Sequence, residues 1–203
     1  MTEPEKTRQQ MWDERHRARE PIESPEPDPS LVAVASVWAP GRALDLAAGD
    51  GRNAIWLAQR GWQTTAVDFS AVALDRARAS ADAAGVQVDW LQADLLAWRP
   101  APRSVDLVTL VYLHLPAPER QAVYAAAADA VAPGGRLVVI GHDRSNLTEG
   151  TGGPQDPAVL FTAAEIGAEL SGLTVRTAEV VVRGAGEGRK TIDALLVAER
   201  PTA

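Results

Sequence analysis

Cysteine is absent from all 203 residues. Disulfides, thiolate metal sites and a cysteine nucleophile are thereby excluded. No apolar run approaches the roughly 18 residues that span a bilayer, so no membrane partner is expected. Met1–Gln10 is charged and lacks the apolar stretch of a signal peptide. Clusters of Lys and Arg are missing too. With a net charge of −7, the chain is not built to neutralise a nucleic-acid backbone, which demands concentrated cations. No His, Asp or Glu group has the spacing of zinc or magnesium ligands. There is no internal repeat, and compositional bias is confined to one proline-rich stretch. What remains is a cytoplasmic globular protein, long enough for one domain, or a domain with an arm, around a substantial core. Composition leaves its oligomeric state open.

Residues 1–30 differ from the rest. They hold eight acidic and five basic side chains, with Pro21, Pro25, Pro27 and Pro29 close together. Proline fixes φ and removes a donor, so 21–29 is expected to be an extended connector. Before it, Thr7–Arg19 has the pattern of a polar helix that sets Trp12 and His16 one turn apart. Two readings stand: a solvated arm, or a lid that gives Trp12 a purpose. The division is an arm over 1–30 and a main domain over 31–203.

From Leu31 short strands and helices alternate. Helices are predicted at Leu31–Trp38, Asn53–Arg60 (Ile55, Leu57 and Ala58 inward), Ala71–Ala84 (Leu74, Ala77 and Ala81 on one stripe, Ser70 as N-cap) and Pro118–Val131. Strands are predicted at Ala43–Leu46, Thr64–Val67, Val88–Gln92, Val105–Tyr112 and, after a turn at Pro133–Gly135, Leu137–Gly141. Such alternation implies an α/β fold with a parallel sheet between helical layers. Thr162 and Glu165 have capping-box spacing before a helix to about Leu170. Leu173–Arg183 and Thr191–Glu199 are separated only by the glycine-rich 184–189. That connection is too short for a helical crossover, so the two strands must form an antiparallel hairpin.

In an open α/β sheet, ligands bind beyond the carboxyl ends of the strands. Four strand ends here carry polar residues. The first has Asp45 and a turn through Gly49 and Gly51 into a helix, a geometry in which backbone amides approach a ligand closely. An acid at that position favours a ligand bearing an amine over a bare pyrophosphate. The second has Asp68, 17 residues beyond Gly51, where a carboxylate can accept from both ribose hydroxyls. Phe69 offers an apolar face to a purine, and Asp94 on the third can accept from an exocyclic amine. The fourth leads to Tyr112 and His114.

These residues resemble the motifs of class I S-adenosylmethionine-dependent methyltransferases. Asp45-Leu-Ala-Ala-Gly-Asp-Gly51 is similar to that family's first motif, Val67-Asp-Phe-Ser70 to its second and Ala93-Asp-Leu95 to its third. Val105-Asp-Leu-Val is similar to its fourth strand, and Pro133-Gly-Gly135 to its turn before strand five. The similarity runs from about Trp12 to the final hairpin. Trp12-Asp-Glu-Arg15 and Gly51-Arg-Asn53 most resemble the small-molecule enzymes of the thiopurine and tellurite-resistance type. The resemblance implies a Rossmann-like three-layer sandwich around a seven-stranded sheet of order 3-2-1-4-5-7-6, strand seven reversed. It implies S-adenosylmethionine as donor, S-adenosylhomocysteine as product and a small-molecule acceptor as partner. It places Asp45, Ala47, Gly49, Gly51 and Asn53 around the methionyl part and Asp68 on the ribose. Phe69, Asp94 and Leu95 fall at the adenine, and the Val111 carbonyl near the methionyl ammonium. Ala47 stands where the family usually has glycine, which is tolerable if its φ stays negative. His16 stands where the subfamily has Tyr or Phe.

A sulfonium donor needs in-line positioning and exclusion of water, and a base only if the acceptor carries a proton. Tyr112, His114, His142 and Asp143 are the candidates, His114 first. Asp143–Phe161 reads as a long loop able to wall an acceptor pocket with Arg144, Asn146, Glu149 and Gln155. Trp12, Arg15 and His16 belong to the lid side, and Arg15 and Arg52 can meet an anionic substrate. Two rivals stay open. Gly49–Ala54 also satisfies the G-x-G-x-x-A of NAD(P)-dependent oxidoreductases, which lack the terminal hairpin. A non-catalytic S-adenosylmethionine-binding module would present the same cofactor motifs.

Overall fold

The computed structural model describes residues 6–18, 26–184, 186 and 188–202. The alternating apolar runs become the strands β1 (Arg42–Leu46), β2 (Gln63–Asp68), β3 (Asp89–Gln92), β4 (Val105–Val111), β5 (Val131–His142), β6 (Thr174–Gly184) and β7 (Lys190–Glu199). They form one sheet in the order β3-β2-β1-β4-β5-β7-β6. β1 to β5 are parallel, and β7 runs antiparallel to β5 and β6. The expected order and reversed last strand are both present. The helices are α1 (Arg8–Ala18), α2 (Pro29–Ala35), α3 (Arg52–Gln59), α4 (Ala71–Ala83), α5 (Ala117–Ala130), α6 (Asn146–Glu149) and α7 (Ala163–Glu169).

The period of two along β4 divides the core. Val108 and Leu110 pack with Val123 and Tyr124 of α5 and Ile166 of α7 on one face. Leu107 and Val111 pack with Leu31 of α2 and Leu57 of α3 on the other. Helix starts follow from side chains that satisfy free amides. The Asp28 carboxylate accepts from the Ser30 and Leu31 amides. Ser70 accepts from Ala73, and Thr162 and Glu165 close the predicted capping box on α7. The stripe Leu74, Ala77 and Ala81 is buried as read.

Four expectations change. Pro29 opens α2 instead of extending the connector, because a first-turn proline has no amide to lose; 21–25 of that connector lie outside the described residues. On α3, Ala54 and not Ala58 is fully buried beside Ile55 and Leu57. Pro133–Gly135 is a bulge inside β5, not a turn before it. Val131 pairs with Val105 and Arg136 with Leu107, and the slack is held by hydrogen bonds between Arg200 and the backbones of Gly134 and Gly135. Finally, 143–161 has structure of its own, with α6 and a 3-10 turn at Pro157–Val159.

Candidate active site

The carboxyl ends of β1, β2 and β4, with α1 above them, enclose a cleft of about 840 Å³. That volume is ample for a small-molecule site. At its centre the Gly49 amide donates to Asp68 Oδ2 at 2.8 Å, while Asp68 Oδ1 accepts from the Ser70 amide at 2.8 Å. Two motif residues far apart in sequence are thus joined by one hydrogen bond. Burial raises the Asp68 pKa above the ordinary carboxylate range, opposed by these two amides.

Ala47 departs from expectation: its φ is +57°. The left-handed region costs a side-chain-bearing residue about 1–2 kcal/mol, so the turn keeps a glycine-type geometry with an alanine in it. Gly51, at the start of α3, answers a packing need. A Cβ there would lie 2.6 Å from the Trp90 ring and 2.8 Å from the Ala77 Cβ. Asp45 lies beneath the turn and off the cleft wall, which Ala47, Ala48, Gly49 and Asp50 form. Its Oδ1 accepts from the Thr109 hydroxyl at 2.6 Å. Oδ2 faces the start of α3, where the Ala54 amide and Arg52 lower the pKa but no hydrogen bond closes. Burial outweighs both and raises the pKa to about 7.

Phe69, Asp94, Leu95 and Val111 all reach the cleft. Asp94 uses Oδ1 to cap the turn that follows it, accepting from the Leu96 amide at 2.9 Å. Asn53 also reaches it, and its Oδ1 accepts from the Asp28 amide at 2.9 Å.

α1 lies along the cleft mouth. Arg8 pairs with Glu119 on α5 at 2.9 Å, Asp13 accepts from the Ser70 hydroxyl, and His16 Nδ1 meets Asp50 Oδ1 at 2.8 Å. Trp12, Arg15 and His16 all face the cleft. The Arg15 guanidinium stacks 4.6 Å from the Trp12 ring centre. His16, the departure from the aromatic pattern, is buried; its ring stands close above Gly49.

The opposite end of the cleft holds Tyr112, His114 and His142. The two imidazoles stack with centroids 5.3 Å apart, but their nitrogens differ. His114 Nε2 accepts the His142 backbone amide at 3.1 Å, and burial, then the charge of His142, lowers its pKa to about 4. A nitrogen already bonded and so weakly basic is a poor proton acceptor. His142 Nδ1 instead lies 2.9 Å from Asp193 Oδ1, at an angle off the ideal for a hydrogen bond. Tyr112, with φ +60°, donates its hydroxyl to Asp193 Oδ2 at 3.1 Å and receives a short hydrogen bond from Arg183. Burial, then the charges of Asp28 and Asp193, raises the Tyr112 pKa far above neutrality and makes it a donor, not a base.

The loop residues expected to wall the pocket do other work. Arg144 forms an exposed ion pair with Glu165 at 2.7 Å. Asp143 caps its own turn through Ser145. Asn146 bonds the Gly152 carbonyl and the Ile192 amide, Glu149 faces Lys190 at 3.9 Å, and Gln155 bonds the Gly153 carbonyl. The segment reaches the cleft with Gly153, Pro154 and Val159. A short local turn satisfies these polar groups before they can reach outward. Asp193 and Arg183 were missed. The available signal was a lone acid in the apolar run Ile192-Asp-Ala-Leu-Leu-Val197, since a charge in a buried strand demands a partner.

Residues 43–135 match a family model described as a methyltransferase domain. A demethylmenaquinone methyltransferase of Thermus thermophilus is 36% identical over 111 residues, which are 54% of this chain and 50% of that protein. The chain thus matches only about half the length of this curated relative. Among solved structures, one from echinomycin biosynthesis, concerned with converting a disulfide bond into a thioacetal group, superposes with TM-score 0.77 at 22% identity, covering 96% of this chain and 93% of that one. A S-adenosylmethionine-dependent methyltransferase of Methanosarcina mazei superposes with TM-score 0.70 at 15% identity, covering 88% and 100%. At 22% and 15% identity these two structures share the fold with this chain.

Proposed function

We propose, with a methyltransferase domain over residues 43–135 as premise, that this protein transfers a methyl group from S-adenosylmethionine to a small-molecule acceptor. The observation that carries the reading is the hydrogen bond from the Gly49 amide to Asp68 inside the cleft. It sets a close-approach turn beside a carboxylate positioned for a ribose.

The residues present fit the cofactor. Asp45 keeps a buried oxygen without a hydrogen bond beneath the turn; behind the cleft wall, it would add negative charge on the methionyl ammonium side once ionised. The turn from Ala47 to Gly51, with Asn53 and Val111, would hold the methionyl part, Asp68 the ribose, and Phe69, Asp94 and Leu95 the adenine. When bound, the cofactor supplies an electrophilic methyl on a sulfonium. α1 acts as the lid over the arm-side mouth, where Trp12, Arg15 and His16 exclude water and raise the effective concentration of the acceptor. Residues 1–30 are the arm and 31–203 the methyltransferase domain. No described helix is long and apolar enough to cross a membrane; cytoplasmic location belongs to the proposal and is checked by cell fractionation.

Calorimetric titration tests the donor. S-adenosylmethionine should bind and NADH should not, with Asp68→Ala weakening binding at least tenfold, about 1.4 kcal/mol. Binding of NADH alone would replace this reading with the oxidoreductase. Formation of S-adenosylhomocysteine with any acceptor separates an enzyme from a binding module.

A further inference from the structure

Within the methyl-transfer reading, we infer that the acceptor is a weak acid with an O–H or N–H nucleophile, that His142 Nε2 takes its proton, and that Asp193 is the positioning residue that orients His142. The sheet register makes the pair: His142 on β5 and Asp193 on β7 are direct antiparallel partners, so both side chains leave the same face at the carboxyl end of β5. Asp193 is fully buried and touches no acceptor. Burial would raise its pKa, but His142 and Arg183 together outweigh that and lower it. An ionised carboxylate 2.9 Å from Nδ1 favours the tautomer protonated there, leaving the lone pair on Nε2. Catalytic contacts of this kind are often bent before the reactants are bound. The second carboxylate oxygen accepts from Tyr112 at 3.1 Å and from Arg183 Nε at 3.0 Å, which stops the carboxylate from turning away.

The imidazole lines the cleft with 15% of its side chain exposed. Gly153 packs closely on the ring: a Cβ there would fall 2.4 Å from His142 Cδ2 and 2.8 Å from Nε2, so a side chain at 153 would displace the imidazole. The other groups around the imidazole are His114, stacked and weakly basic, and Tyr112, with its ring 5.0 Å away. Behind them Asp28 faces Arg183 at 3.9 Å and Arg52 at 3.8 Å. None of these competes for the acceptor proton. A soft sulfur acceptor has little need of such a pair, since its anion forms readily near neutral pH. In the transfer the acceptor X–H bond breaks and its proton goes to Nε2, X bonds to the methyl carbon, the C–S pair stays on sulfur, and the imidazolium returns the proton to water.

The chain has three histidines, so the tautomer is directly readable. Nitrogen-15 imidazole spectra of the cofactor-free protein, assigned with His142→Gln, should show neutral His142 protonated at Nδ1, and Asp193→Asn should move part of that population to the Nε2-protonated tautomer. With S-adenosylmethionine, His142→Gln and Asp193→Asn should cut turnover of phenols (catechol, protocatechuate) about 100-fold, with cofactor affinity unchanged. A His142 protonated at Nε2 overturns the inference. So does turnover confined to thiols (thiophenol, dithiothreitol) and unaffected by His142→Gln. Failure of S-adenosylmethionine to bind would instead sink the methyl-transfer reading.

Discussion

Replacing Asp45 by Asn should reverse part of the protein's pH dependence of stability. Asp45 is fully buried, and burial raises its pKa to about 7 from the ordinary aspartate value of 3.8. A raised acid pKa means the folded state holds the proton that the unfolded chain releases. The group's contribution is fully present below pH 3.8 and is lost as pH rises through 7. At one pKa unit per 1.4 kcal/mol, the cost of keeping Asp45 folded is about 2 kcal/mol at pH 5 and about 4 kcal/mol at pH 8. Asparagine cannot ionise, and its carbonyl can still accept from Thr109. Any misfit of its amide against the Ala54 amide adds an offset that does not vary with pH. The readout is therefore a slope. Urea unfolding of the cofactor-free proteins should show the variant gaining about 2–3 kcal/mol on the wild type between pH 5 and pH 8. A difference that stays flat over this range would refute the burial argument, because Asp45 would then be solvated or permanently paired.

Two further substitutions probe the turn and the lid. Ala47→Gly should raise Tm by about 2 °C, because relief of a positive φ outweighs the entropy glycine adds to the unfolded chain; thermal unfolding that shows a lower Tm contradicts the strain. His16→Ala should raise the Kd for S-adenosylmethionine about tenfold, or 1.4 kcal/mol, since it frees α1 from Asp50 above Gly49. Unchanged affinity by calorimetry, with α1 still folded, would remove the lid from cofactor binding.

The alternation of strands with helices and the polar residues at the strand ends were legible because both rest on local patterns, whereas the strand order followed only from the family resemblance. Asp45, Gly49, Asp68 and Asp94 each follow a short apolar run, and a strand must end where its backbone turns, so their placement at one edge of the sheet follows from topology. The hairpin was legible because so short a connection cannot carry a helical crossover. The sign of φ at Ala47 was not legible: the turn's hydrogen bonds, from Ala48 to the Val67 carbonyl and from Gly51 to the Ala48 carbonyl, impose it from outside the residue.

By itself, then, the sequence determined the alternation of strands and helices, the antiparallel final hairpin and the glycine turn at the carboxyl edge of the sheet, since these depend on periodicity and turn chemistry within a few residues. Only the tertiary structure decided between two histidines that look alike in sequence. His114 spends its nitrogen on a backbone amide and loses basicity to burial, whereas His142 receives a carboxylate from β7. That choice depends on the pairing of β5 with β7 and on the dryness of the space between, and neither is a local property of the chain.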